Sequence, residues 1–309
     1  MKRNFLYALI LAVAVSCVGK IELPQHNTPP HLQGTEQEDQ EAPGDNEDDK
    51  KPEENPSIPR ASGQEITVRF VSYNVGKFNK YKDQLGHDSY PEVAKVITEI
   101  GGDVVGLNET NKGQAKTLSE QFTPAWTHYF AYAANTSYGN SIIAAPKYKV
   151  VKEYPRVMID KLAGASEIRS LGVVEYEDFV FCVTHLDHTS GEARQAGVKV
   201  ITDWVLANYG PGKTSKPVIL LGDMNCIPAE KTISMFKENW DWISANENSF
   251  PCKPGENPTK CIDYILVLKN GVEYKAGETH AVHSVSGTDI QKASDHYPVY
   301  ADITFKKQK

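Results

Sequence analysis

The chain has 309 residues, 40% of them hydrophobic and 24% charged, with a formal net charge of −7. That length exceeds one small domain and suits one large α/β domain behind a leader, with apolar content enough for a sizeable core. The charge is uneven: eleven acids against Lys50, Lys51 and Arg60 crowd residues 21–60, whereas residues 65–309 hold 27 Lys and Arg against 29 Asp and Glu, which counts against a large polymeric polyanion as the substrate.

The opening "MKRNFLYALILAVAVSCVGK" reads as a leader rather than as fold. Lys2 and Arg3 precede an apolar run of 11 residues, Phe5 to Val15, shorter than the ~20 a membrane helix needs, and small residues lead into Cys17. This is the pattern of a secretory signal peptide over residues 1–17. "AVSC" resembles a bacterial lipoprotein cleavage box, with Ala14 where Leu is usual; that likeness implies a lipid-modified Cys17 and a stable anchor, since each buried CH₂ contributes ~0.8 kcal/mol. The plainer alternative is a cleaved soluble signal with a chance cysteine. Residues 18–62, rich in acid, Pro and Gly, have almost nothing to bury and are expected to stay disordered, as a tether or, alternatively, an acidic recognition tail. The protein is therefore expected to be exported and membrane-anchored, facing periplasm or exterior.

From residue 63 onward β-branched and aromatic alternation marks strands, and spacing near 3.6 marks helices. A strand is predicted at 66–75 and a helix at 90–100, with Pro91 near its start and Gly101-Gly102 past its end. A short buried strand follows at 103–109 and a helix at 113–122. Strands are expected at 127–133, 140–145, 148–153, 168–176 and 178–186, then a helix at 192–210 closed by Gly210. A strand at 217–222, a short helix at 228–237 and strands at 261–268 and 298–305 complete the reading. Single strands between helices, mixed with hairpin-like clusters, predict two packed mixed β-sheets flanked by helices.

Four cysteines remain once Cys17 is set aside, in a chain expected to meet an oxidising compartment. Cys252 and Cys261 lie either side of a turn-rich loop and form a candidate disulfide. Cys182, mid-strand, reads as a small apolar core residue; Cys226 fits either role.

Polar residues gather where the strands end. "VRFVSYNVG" closes on Asn74, "DVVGLNET" on Glu109, "FVFCVTHLDH" on His185 with Asp187 two further on, and "PVILLGDMNCIP" on Asp223 and Asn225. Asp263 opens "DYILV", and Asp295 and His296 precede the last strand. Asp223 and Asn225 face one way if the extended geometry persists past Gly222; the alternative is an Asx turn or helix cap. Any one of these has a dull explanation as a cap or turn, but catalytic groups collect in loops at one rim of a rigid sheet. Oxygen ligands such as Glu109 and Asn74 suit a hard cation. No zinc-type Cys/His spacing, Gly-rich phosphate loop or G-x-S-x-G elbow is present.

The ordered series "SYNVG", "GLNE", "YGNSIIA", "THLDH", "GDMN", "IDYI" and "SDHYPV" resembles the endonuclease/exonuclease/phosphatase superfamily over about residues 66–305. Asn108 stands where Gln is usual and Met224 where Phe is usual, and the domain is at the short end for the family. The resemblance implies a DNase I-like four-layer α/β sandwich over 63–309 and a Mg²⁺-dependent phosphoesterase, with Mn²⁺ or another divalent cation as substitutes. Glu109 is similar to the principal metal ligand, assisted by Asn74, and Asp295 to a further ligand or an orienter. Asp223 is similar to the base that activates water, with Asn225 holding the water or a phosphate oxygen. His185 and His296 would contact phosphoryl oxygens, and Asp263 would orient a histidine. Asn140 is a candidate phosphate contact. Arg169 is another, its alternative being a structural ion pair. The expected substrate is a phosphate ester: a lipid headgroup, a small phosphodiester or a nucleic acid. A monomer is expected. The rival reading is a non-catalytic surface lipoprotein that binds a ligand on the same fold.

Overall fold

The computed structural model describes residues 61–135, 137–162 and 164–309, all within the compact unit Glu54–Lys309. The predicted signal peptide, the Cys17 lipid site and the predicted linker lie outside the described residues, save positions 61 and 62, which already belong to the first strand. No helix among the described residues is long and apolar enough to cross a membrane.

In chain order the elements are β1 (Ala61–Asn74), α1 (Lys82–Leu85), α2 (Tyr90–Glu99), β2 (Val104–Asn111), α3 (Gln114–Ser119), β3 (Thr127–Asn135) and β4 (Tyr138–Ala144). They continue as β5 (Val150–Glu153), β6 (Val157–Ile159), β7 (Arg169–Tyr176), β8 (Val180–His185), α4 (Gly191–Tyr209) and β9 (Val218–Asp223). The last are α5 (Lys231–Asn239), β10 (Trp240–Trp242), β11 (Asp263–Leu268), β12 (Tyr274–Ala281) and β13 (Val299–Gln308).

Two sheets result. One has the order β12-β13-β1-β2-β4-β3; the other runs β10-β11-β9-β8-β7-β5, with β6 also pairing β7. The pairs β1–β2 and β8–β9 are parallel within otherwise antiparallel sheets, so both sheets are mixed. Alternation along the strands builds the layers. Phe70, Val104 and Ile142 of the first sheet meet Phe181, Ile219 and Leu221 of the second in one buried cluster. Val71, Tyr73 and Leu107 turn the other way, onto Val93, Val96 and Ile97 of α2 and Leu118 of α3. Leu220 and Val218 turn outward onto Val198, Ile201 and Val205 of α4 and Ile233 and Phe236 of α5. Helix, sheet, sheet, helix is the four-layer sandwich. Each fully buried apolar side chain contributes about 1.5–3 kcal/mol, which fixes the register of every strand with an inner and an outer face.

Differences from the sequence reading sit at the edges. β12 was not predicted because its residues are mostly exposed and polar, with no apolar alternation to show it. β10 is too short to carry a pattern. The stretch read as one strand at 148–153 is β5, and the separate β6 follows it. Cys252 and Cys261 form no disulfide. Cys252 is packed with Tyr73 and Ile97 and Cys261 with Tyr264 and Trp240, in different buried clusters. The loop between them leads its two ends to separate apolar sites instead of joining them.

Candidate active site

Strand register assembles the site. β8 and β9 run parallel with His185 opposite Asp223, and β11 runs antiparallel to β9 with Asp263 opposite Asp223. Three functional side chains thus stand abreast on one rim of the second sheet. In the first sheet the parallel pair β1–β2 sets Asn74 opposite Asn108, next to Glu109. Packing the sheets face to face brings the two rims together.

Two close approaches depend on glycine. Gly222 has φ +144, and a Cβ there would sit 1.8 Å from the Thr184 carbonyl oxygen. A Cβ on Gly106 would meet Leu221 Cδ1 at 2.2 Å. These positions let β9 approach β8 and let the two sheets touch below the site.

Buried amides hold the rims. Asn108 Oδ1 accepts from the Asp223 N–H at 2.8 Å, while its Nδ2 donates to Asn140 Oδ1 at 2.9 Å and to the Thr184 carbonyl at 2.8 Å. Asn74 Nδ2 donates to Asp223 Oδ2 at 3.1 Å and to Glu109 Oε1 at 3.3 Å, and Asn74 Oδ1 accepts from the Gly76 N–H. Asn74 therefore turns its NH₂ toward the carboxylates and positions them. Glu109 itself has φ 55 and Asn225 φ 50, strained conformations of the kind that collect at functional sites.

Asp223 is the centre. Its Oδ2 lies 3.5 Å from His185 Nε2 and 3.7 Å from His296 Nε2. His296 Nδ1 is 2.9 Å from Asp263 Oδ2, which also accepts from Ser249 Oγ at 2.6 Å. Burial pushes the Asp223 carboxyl up to about 7, with the Asp263 charge adding to the rise. Burial opposes charge on His296, but the Asp263 carboxylate outweighs it and raises the imidazole to about 9. Burial, helped by the nearby Arg169 guanidinium, holds His185 well below its ordinary value, so it is neutral. The two histidines that flank this carboxylate are thus pushed in opposite directions, His185 down and His296 up.

The chain leaves the extended conformation at Asp223. The Asn225 N–H donates to Asp223 Oδ1 at 2.8 Å, an Asx turn, and Asn225 Nδ2 donates to the Leu186 carbonyl. The turn was the alternative reading; both side chains nonetheless line one cleft of about 560 Å³, together with Glu109, His185, Asp295 and His296.

The fold in hand is that of other solved proteins. An endonuclease/exonuclease/phosphatase family protein from Bacteroides thetaiotaomicron matches with TM-score 0.65 at 19% identity, over 79% of this chain and 99% of its own. A mannosyl-6-phosphatase of Bacteroides thetaiotaomicron matches with TM-score 0.65 at 18% identity, over 76% of this chain and 99% of its own. A 2′,3′-cyclic phosphatase, ANGEL2, matches with TM-score 0.61 at 13% identity, over 80% of this chain and 98% of its own. At such identities the likeness is one of fold. No curated protein sequence matched the chain. The model of the Endonuclease/Exonuclease/phosphatase family matches residues 71–296, from β1 to His296. The chain belongs to that family. The family hydrolyses phosphoester bonds and is generally dependent on a divalent metal.

The donors present fit such a cation. Glu109 and Asp295 both line the cleft, and the pair already gathers a positive group: Lys80 Nζ lies 3.0 Å from Asp295 Oδ2 and 3.9 Å from Glu109 Oε2. The ammonium stands in for a cation between two carboxylates, and oxygen donors suit a hard ion. Asp223, Asp263 and His296 also lie with ligand atoms within 4.8 Å of one another. That trio is better read as a hydrogen-bonded row, since the Asp263–His296 contact already occupies His296 Nδ1.

Among the remaining candidates, Asn140 is turned away from the cleft, bonded to Asn108 and donating to the Ser170 carbonyl at 3.2 Å. Both ends of its amide are thus engaged, and it braces Asn108. Asp187 is also absent from the cleft, its carboxylate accepting from Ser166, Thr189 and Ser190 to shape the turn before α4. Arg169 lines the cleft and pairs with Glu167 at 3.2 Å, so the ion pair, its alternative reading, is present. Sequence reasoning missed Lys80, Ser249, Tyr138 and His188. His188 ends the "THLDH" string and Tyr138 opens "YGNSIIA", so both were within reach of a motif reading; Lys80 and Ser249 reach the site only through tertiary packing.

Proposed function

We propose that the protein is a divalent-metal-dependent phosphoesterase that cleaves phosphodiester or phosphomonoester bonds by in-line attack of water activated by Asp223. The observation that carries this reading is the convergence on Asp223 Oδ2 of His185, His296 and Asn74 from separate strands and loops, beside Glu109. A carboxyl raised toward 7 is matched to taking a proton near neutral pH. Asp263 accepts from Nδ1 and fixes the direction of His296, whose raised value leaves it cationic, with Nε2 able to donate to a phosphoryl oxygen. Neutral His185 retains one N–H donor and one acceptor, and Asn225 contributes an amide at the same wall. Glu109 and Asp295 would hold the cation, Mg²⁺ best fitting their oxygens. When bound, it supplies neutralisation of charge building on the phosphoryl oxygens.

The same proposal places the enzyme outside the cytoplasmic membrane, held by lipid on Cys17 and spaced from the surface by the acidic segment. Support for that comes from the positive start, the apolar run of 11 residues and the following cysteine. Hydrolysis assays on bis-p-nitrophenyl phosphate, p-nitrophenyl phosphate, sphingomyelin and plasmid DNA, with Mg²⁺ and then with EDTA, test the activity. Turnover of at least one ester that EDTA abolishes is the expected result; no turnover with any divalent cation would overturn it.

A further inference from the structure

The row of functional groups along the second sheet continues past His185. The strand order is β11, β9, β8, β7, so Asp263, Asp223 and His185 are followed by the start of β7, where Arg169 stands. Neighbouring strands lie about 4.8 Å apart, which puts the β7 position about 10 Å along the rim from Asp223.

Arg169 is 4% exposed yet lines the cleft, and its Nε has no hydrogen-bond partner among the described residues. A guanidinium carries five N–H donors, and a buried donor left unmade is costly. The contacts it does make leave its charge only partly spent. Nη1 meets Glu167 at 3.2 Å, while Nη2 meets His188 Nδ1 at 3.2 Å and Ser166 Oγ at 3.5 Å.

The Arg169 contact also fixes His188. Arginine cannot accept, so His188 Nδ1 accepts from it, and the Ser166 hydroxyl proton is already committed to Asp187 Oδ2 at 2.6 Å. With Nδ1 accepting, the ring proton of His188 sits on Nε2, and the residue lines the cleft. Tyr138 lines the same cleft as Glu109 and Arg169, and its phenol carries an O–H donor. Arginine, imidazole N–H and phenol O–H are thus offered on one side of the cleft, beyond the groups that handle the reacting phosphorus.

We propose that Arg169, His188 and Tyr138 form a second oxyanion subsite, and that the preferred substrates are small organophosphates carrying a further anionic group, such as a second phosphate, about 5–10 Å from the phosphorus that reacts. It rests on the phosphoesterase reading for the reaction but not for the binding. The second anion comes equally well from a nucleotide or from a sugar bisphosphate, and the substrates in the test separate these two sources.

Hydrolysis is measured with Mg²⁺ on thymidine 5′-(p-nitrophenyl phosphate) and its 3′-phosphorylated counterpart, and on glucose 6-phosphate and glucose 1,6-bisphosphate. The readout is the ratio of kcat/KM for the two-anion over the one-anion member of each pair. The wild type is expected to favour the two-anion member in at least one pair. Arg169→Met should lower that ratio by about 10–100-fold through KM, with Arg169→Lys intermediate, as for loss of a charged hydrogen bond. Exposed His188 tolerates replacement, so His188→Ala reports the same loss, at smaller size, should Arg169→Met fail to fold. No preference in the wild type, or an equal fall for both members of a pair, overturns the subsite. Calorimetric binding of thymidine 3′,5′-bisphosphate against thymidine 5′-monophosphate separates the two readings. A preference that depends on Arg169 without any turnover keeps the subsite and sinks the hydrolase; turnover without preference does the reverse.

Discussion

Replacing Asn108 by leucine keeps nearly the same volume and removes every hydrogen bond its amide makes. Three groups lose a partner in a place water does not reach: the Asp223 N–H, the Thr184 carbonyl and Asn140 Oδ1. Asn108 and Thr184 are fully buried and Asp223 and Asn140 nearly so. Each orphaned buried group costs about 1–3 kcal/mol, and the groups share one network, so a total of about 4 kcal/mol is expected. For a domain of this size that lowers Tm by about 8–16 °C. Calorimetry or urea denaturation of Asn108→Leu beside wild type measures it, and phosphoesterase turnover should fall as well because Asp223 loses its backbone anchor. A loss below about 1 kcal/mol would show that the amide does not tie the two rims together, and would refute the reasoning.

Metal-free protein, kept in EDTA, should lose stability as pH rises from 6.5 to about 9. The folded-state His296 is raised to about 9, so its contribution is whole below the ordinary value of 6.5 and is lost as pH passes through 9. Urea midpoints across that range check this, and Asp263→Asn should flatten the slope. Thiol labelling of the native protein should leave Cys182, Cys226, Cys252 and Cys261 unreacted, and all four should react once it is unfolded without reductant. A Cys252–Cys261 bridge found by mass spectrometry would contradict this. Divalent cation should raise Tm, and Glu109→Gln together with Asp295→Asn should abolish the rise.

The sheets were legible because apolar runs with two faces identify themselves: Phe70 and Val71, or Ile219 and Leu220, need opposite layers. The site was legible where such runs end in Asn74, Glu109, His185 and Asp223, since a buried strand has no packing reason to stop on those residues. What sequence could not supply is what register and packing supply. Asn108 and Thr184 belong to different sheets and meet only where the sheets pack, and Ser249 meets Asp263 only through the path of an irregular loop. Asp187, two residues past His185, stays out of the cleft because the chain turns at the strand end and its carboxylate caps that turn. Asn225 reaches the cleft by a left-handed turn rather than by strand alternation. The Cys252–Cys261 pairing was misread because both ends of that short loop serve different buried clusters.

Steady-state hydrolysis of bis-p-nitrophenyl phosphate with Mg²⁺, by wild type and by Asp223→Asn, bears most directly on the role of Asp223. We expect Asp223→Asn to keep the fold and lose roughly 10²–10⁴ in kcat, the range for a general base. Near-wild-type turnover by Asp223→Asn would contradict that role and, with it, the account of the site.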